Sequence, residues 1–391
     1  MADSRINSLY VHVPFCAQKC GYCAFYSEAG SGELINRYVA ALVRELELVA
    51  DELAPRTIFF GGGTPSLLNL RQWEQILKAM ERLKLLGAEE CTVECNPATV
   101  SADKAKLLRD FGVNRVSMGV QSLDEDLLDR LGRVHSRAMA FKSYDVLRQA
   151  GFGNVNLDLM FAIPTQTMAV WRDTLTEALA MQSEHLSSYE VIYEDDTPLF
   201  TQLKAGEFAV DEALACEMYE ELVARATVGG LQQYEVANFA REGGAARPPD
   251  DPLAGVPARV CRHNVNYWRG GSFHGLGPSA TGYVRGVRTK NWSNTPLYCE
   301  QLEQGRRAFE SREELSPLRR AGETAAFGLR MNAGWPFGEF ARVTGFDLRR
   351  EWAGEMDQMV ERGWAVRTAE RFHLTHQGLR FADAVAEVFL R

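Results

Sequence analysis

No stretch of roughly 18 consecutive apolar residues occurs in this chain, so it offers no candidate for a membrane-spanning helix. Positive charge is also scarce. Against 52 aspartates and glutamates stand 43 lysines and arginines, a net charge of −9, and the cations are scattered along the sequence. A nucleic-acid interface needs a basic face, so DNA and RNA are excluded as expected partners. The first seven residues are polar and contain no apolar signal-peptide core. The expected location is therefore cytoplasmic, where cysteines stay reduced and serve metal or redox chemistry. Histidine is sparse, with 7 in 391 residues, and neither His12 nor His135 has a metal-like partner at useful spacing. What remains is an ordinary globular composition, 46% hydrophobic and 24% charged, long enough for one large domain and a smaller one.

Against that background one local concentration stands out. Cys16, Cys20 and Cys23 form a Cys-x-x-x-Cys-x-x-Cys run, three of the chain's eight cysteines within eight residues. Three thiolates on one short loop, with no fourth nearby, can bind three corners of an iron-sulfur cluster and leave the fourth iron open to another ligand; complete clusters normally take four cysteines. A structural zinc site is the competing reading, but such sites close with four ligands, usually in two pairs, and no second pair lies near.

Around this run the chain alternates strand-like and helix-like segments. Residues 8–13 read as a strand ending at Pro14, so the cysteine loop leaves a strand's carboxyl end. Further strands are expected at 57–60, 91–95, 115–120, 155–160 and 185–191. Helices are expected at 34–53, after an Asn69–Gln72 capping box, from Ser101 to 110, and after Ser122-x-x-Glu125. About six βα units with crossovers of this length imply parallel strands with right-handed connections: an α/β fold, a partial (βα)6 TIM-like barrel with function at the strands' carboxyl ends. Those ends carry Gly61-Gly62-Gly63-Thr64, Glu94, Gln121 and Arg133, with Asp158 in the fifth strand. The glycines are expected to let a ligand meet backbone N–H groups without Cβ obstruction. Cys91 and Cys95 share a strand face and read as buried small hydrophobes.

The cysteine spacing, with Tyr22 as the aromatic before the third cysteine, resembles the signature of the radical SAM superfamily. That resemblance implies that Cys16, Cys20 and Cys23 hold a 4Fe-4S cluster and that S-adenosyl-L-methionine chelates its open iron. One-electron reduction would then cleave the sulfonium to a 5′-deoxyadenosyl radical, with electrons from a donor such as a flavodoxin or ferredoxin. The longer pattern resembles the coproporphyrinogen III oxidase-like branch. There Tyr10, Tyr22, Gly62, Gly63, Thr64, Glu94, Gln121, Arg133 and Asp158 correspond to cofactor-binding positions.

Residues 241–258 look irregular and lead into Cys261-Arg262-His263-Asn264-Val265-Asn266-Tyr267-Trp268. The His-Asn-x-x-Tyr-Trp motif resembles that of HemW-type heme chaperones, which bind heme and pass it to acceptor proteins. It implies a heme contact at His263, since an imidazole can ligate heme iron. A purely structural role is the alternative, in which His263 and Asn264 fasten a loop to the barrel and Trp268 fills a gap. The oxidases of this branch carry another cysteine two places after the third, where this chain has Phe25. Oxygen-independent coproporphyrinogen III oxidation is accordingly the second functional reading. The expected domains are 1–240, the barrel with cluster and cofactor; 241–314, an irregular connector with the motif; and 315–391, a C-terminal winged-helix-like domain acting as a lid or docking surface.

Overall fold

The computed structural model describes residues 5–243 and 256–390; most of the expected irregular stretch 241–258 lies outside the described residues. Six parallel strands run side by side in chain order: β1 (Ile6–Val13), β2 (Leu53–Gly62), β3 (Glu90–Cys95), β4 (Arg115–Gln121), β5 (Val155–Phe161) and β6 (His185–Glu190). These match the six expected strands to within a few residues. Helices connect them and cover the outer face.

Each strand alternates between two environments, as its period of two requires. In β3, Cys91, Val93 and Cys95 are buried against the helical layer. The intervening Glu90, Thr92 and Glu94 point to the concave side. The helical layer is fixed by large apolar side chains. Trp73, on helix Leu70–Arg82, is fully buried and meets Phe60 edge-on at 5.1 Å. Trp171 donates from Nε1 to the carbonyl of Met218 (2.9 Å), tying two helices together. Removing a side chain of that size from such a core costs about 3–5 kcal/mol.

Local start signals behave as the sequence suggests, with one correction. Asn69 and Gln72 form a reciprocal capping box, and Ser101 accepts from the Lys104 N–H. The helix expected to start at Ser122 is instead capped by Asp124, whose carboxylate accepts from Leu127 N, while the Ser122 hydroxyl accepts from Asp124 N. Asp is as good a cap as Ser, and it sits next to the first helical residue.

Three further strands extend the sheet to nine among the described residues. β7 (Leu231–Glu235) and β8 (Asn238–Arg241) form an antiparallel hairpin that adds β8 to β6, and β9 (His274–Leu276) lies parallel to β1 at the opposite edge. The region beyond the barrel is therefore not an irregular connector. It carries helix Arg262–Trp268, β9, the antiparallel meander β10 (Thr281–Val284), β11 (Val287–Asn291) and β12 (Phe309–Glu314), and helix Thr295–Glu303. A second hydrophobic core, from Ala321 to Phe389, belongs to the C-terminal helices and the small sheet of β13 (Trp335–Pro336), β14 (Ala365–Arg367) and β15 (Arg371–Leu374). Among the described residues no helix is long and apolar enough to cross a membrane.

Candidate functional site

The segment between β1 and the first long helix is a closed loop. At its base Glu28 N donates to Pro14 O (2.8 Å) and Cys16 N to Glu28 O (3.1 Å). At its far side Gly21 N donates to Leu131 O (3.0 Å), and Leu199 N donates to Gly21 O (2.9 Å). The loop is thereby fixed to the segments that follow β4 and β6, and its three cysteines face one cavity of about 500 Å³ at the strands' carboxyl ends. All three are free thiols. Cys16 Sγ lies 3.5 Å from Thr64 Oγ1, and Cys20 Sγ accepts from Arg133 Nη1 at 3.3 Å. Burial pushes the Cys23 thiol up, and Cys20 and Cys16 push it further. A cationic iron centre would remove that opposition.

The glycine turn after β2 serves the cysteine loop more than it serves a ligand. Gly63 N donates to Val13 O (2.8 Å), Thr64 N to Phe15 O (2.7 Å) and Gly62 N to Glu94 Oε2 (3.2 Å). The expectation of free N–H groups is therefore corrected: all three are engaged. The glycines are needed all the same. A Cβ on Gly63 would lie 2.8 Å from the Val13 and Phe15 carbonyls, and one on Gly62, whose φ is +105°, would strike the His12 ring at 2.4 Å.

Two carboxylates form the cavity floor. Glu94 is pushed up to about 8, chiefly by burial and then by Asp158; Asp158 is pushed up to about 6 by burial, against the opposing pull of Arg115, Asn156 and Ser117. Asn156 Nδ2 donates to Asp158 Oδ1 at 2.7 Å. Such a pair favours a cationic guest, which restores the charge that burial suppresses. Gln121 lies at a β4 irregularity with φ +66°, a conformation that costs a non-glycine residue energy and recurs at ligand sites. Arg133 is anchored on Gly119 O (2.8 Å) while it reaches Cys20. Cys16, Cys20, Cys23, Tyr22, Gly62, Gly63, Thr64, Glu94, Gln121, Arg133 and Asp158 thus line one cavity. Among the described residues no three His, Cys, Asp or Glu side chains converge closely enough for a single metal ion.

Two expected residues lie elsewhere. Tyr10 donates its hydroxyl to His12 Nδ1 (3.0 Å), since His12 Nε2 is committed to the Tyr26 carbonyl (2.9 Å). It lines a second, interior cavity of about 190 Å³ that shares Glu94, Ser117, Asp158 and Tyr189 with the first. His263 borders the same interior cavity, near the amino ends of the strands. Its Nδ1 is 3.0 Å from Thr57 Oγ1 and 3.1 Å from Ser8 Oγ, its Nε2 is 2.7 Å from the Tyr267 hydroxyl, and its ring stacks on Phe59. Burial, then Arg115, lowers it to about 3. With both nitrogens hydrogen-bonded and the residue 1% exposed, this imidazole fastens the motif to the barrel. The heme contact expected at His263 would require the ring to give up one of these bonds. Glu90 completes the fastening by accepting from the N–H groups of Arg262 and His263, both at 3.0 Å.

The radical SAM superfamily model matches residues 10–178. The chain is 32% identical to the heme chaperone HemW of Bacillus subtilis (strain 168) over 98% of this chain and 99% of that protein. It is 33% identical to the heme chaperone HemW of Escherichia coli (strain K12) over 98% of both. The chain belongs to the HemW family of radical SAM proteins. Its fold is also that of the solved coproporphyrinogen III oxidase HemN from Escherichia coli, with a TM-score of 0.82, 22% identity, 98% of this chain and 90% of that chain covered. Radical SAM membership implies a 4Fe-4S cluster and S-adenosylmethionine, and a HemW-family chain with three free thiols and a buried carboxylate pair in one cavity fits both.

Sequence reading of this HemW-family chain missed Arg115, Ser117, Asn156, Ser187 and Tyr189, which line the interior cavity. The signal was present: Arg115 and Ser117 in β4, Asn156 and Asp158 in β5, and His185, Ser187 and Tyr189 in β6 recur at every second position, a polar face that is the barrel interior.

Proposed function

We propose that this chain is a heme chaperone, which binds heme and transfers it to acceptor proteins in the cytoplasm. The observation that carries the reading is 32–33% identity along nearly the full length of proteins so named. Phe25, in place of the oxidases' additional cysteine, supports it. In this reading Cys16, Cys20 and Cys23 hold the 4Fe-4S cluster, and S-adenosylmethionine lies over Gly62, Gly63 and Thr64 against Glu94, Gln121, Arg133 and Asp158. When bound, the cluster supplies single electrons, drawn from a flavodoxin- or ferredoxin-type donor, to the cofactor's sulfonium. The chain's own residues do the rest. Glu94 and Asp158 hold the positive end, Arg133 steadies the Cys20 sulfur, and Tyr22 excludes water between the second and third cysteines. Tyr10 acts at one remove, by fixing His12 beneath Gly62.

The test is transfer. Anaerobically reconstituted protein loaded with one equivalent of hemin is mixed with an apo-globin, and the globin Soret band is followed. Stoichiometric transfer faster than from free hemin aggregates is expected. Retention of all heme would contradict the chaperone reading. The oxidase alternative shares the fold alone, and an anaerobic assay with reductant, S-adenosylmethionine and coproporphyrinogen III that yields decarboxylated product would restore it.

A further inference from the structure

Three large apolar side chains stand exposed where the cysteine cavity opens to solvent: Phe25 at 71%, Ile192 at 65% and Val134 at 42%. Scattered exposed hydrophobes are ordinary, but a group around the mouth of one cavity marks a contact surface. Each rides on a segment whose backbone is hydrogen-bonded close by. Phe25 belongs to the loop closed by the Cys16–Glu28 and Gly21–Leu131 bonds. Ile192 follows Val191, whose N–H is held by Phe161 O (3.1 Å), and Val134 follows Arg133, held by Leu128 O (2.9 Å). The arrangement is a rigid apolar ring over a wide opening, which suits a flat, rigid, apolar guest. The imidazole expected to receive heme meanwhile lies near the amino ends of the strands, with both nitrogens hydrogen-bonded.

We infer that heme docks flat across this mouth, on Phe25, Ile192 and Val134, and not on His263. The inference rests on the heme-chaperone reading above and adds the place of binding. Charge gives the orientation: Lys19 is a cation on the cysteine-loop side of the rim, whereas Glu190 and Glu194 follow from β6. The heme propionates lie towards Lys19 and away from the two carboxylates. Phe25 thereby acquires a role as the aromatic face of a porphyrin platform at a position where the oxidases have a cysteine.

The experiment is a hemin titration of the full-length, anaerobically reconstituted protein, read by the Soret band and by quenching of intrinsic fluorescence. Wild type, the double variant Phe25→Ser/Ile192→Ser, His263→Gln and a control, Val228→Ser, are compared. Val228 is 91% exposed and does not line the cavity. Wild type and Val228→Ser are expected to saturate near one equivalent. The double variant is expected to bind at least ~10-fold more weakly, the scale of losing two apolar contacts, with its cluster absorbance unchanged. His263→Gln is expected to keep wild-type affinity and Soret position. Equal affinity in wild type and double variant, or loss of binding in His263→Gln alone, would overturn the docking site and leave the chaperone reading standing. Failure of wild type to saturate would remove both.

Discussion

Glu94 and Asp158 are a buried carboxylate pair whose ionisation is suppressed until a cation arrives. The sign of the resulting pH dependence is fixed. Glu94 is raised to about 8, so if it holds the positive end of S-adenosylmethionine as proposed, the protein gives up a proton on binding below that pH. Affinity is expected to fall as pH drops from about 8 to about 6, by at most tenfold per unit. In Glu94→Gln that slope should flatten, by calorimetry in two buffers of different ionisation enthalpy; an unchanged slope would assign the proton elsewhere. His263 carries the opposite case. Its folded-state value is depressed to about 3 from the ordinary 6.5, so the stability it contributes is present above 6.5 and is lost as pH falls towards 3. Urea unfolding should therefore show the wild-type advantage over His263→Gln shrinking across that window, and an advantage that grows on acidification would contradict the neutral, doubly bonded ring. At this scale the sequence was legible where a residue type is rare in context, as with the three clustered cysteines. It was silent on long-range partners: nothing local to His263 announces that Ser8 and Thr57, far away in sequence, will meet its ring nitrogen.

At the scale of elements, strands with strong apolar alternation and helices with caps were readable. The additions to the sheet were not. β9 is three residues among glycines, and a Cβ on Gly275 or Gly277 would collide with the backbone of Thr281 or His12 at 2.1 and 2.3 Å; the strand exists because chain segments approach too closely for side chains. β12, Phe309–Glu314, is exposed throughout and has no apolar face to betray it. The segment that carries β9 is held by one buried side chain outside it. Glu45, fully buried on helix Gly32–Val49, accepts from Gly277 N (2.8 Å), Asn291 Nδ2 (2.8 Å) and Tyr298 Oη (2.7 Å). Glu45→Ala leaves three buried donors short of an acceptor and is expected to cost at least ~3 kcal/mol, read as a lower urea midpoint at unchanged slope. A loss under about 1 kcal/mol would mean that water replaces the carboxylate without penalty.

For the whole molecule, the barrel and the C-terminal module are joined by backbone and side-chain hydrogen bonds. Val236 N donates to Arg330 O (3.1 Å), Asn332 N to Tyr234 O (3.0 Å), and Arg269 Nη1 reaches Gly334 O (2.7 Å). Among the described residues every residue lining the cysteine cavity falls between Cys16 and Glu194, within the barrel. The motif helix Arg262–Trp268 lies between the two bodies, with Trp268 against Phe327 and beneath Arg330. The molecule thus separates a cofactor end, open to ligand, from a motif end that holds the assembly together.

The central claim is that the three cysteines carry a cluster whose fourth iron meets S-adenosylmethionine in this cavity. The most direct test is electron paramagnetic resonance of the dithionite-reduced, anaerobically reconstituted protein with and without S-adenosylmethionine, with Cys20→Ala as the comparison. A reduced 4Fe-4S signal that changes on adding the cofactor, and is absent from Cys20→Ala, is the result expected. A signal indifferent to S-adenosylmethionine, or a full cluster retained in Cys20→Ala, would contradict the account.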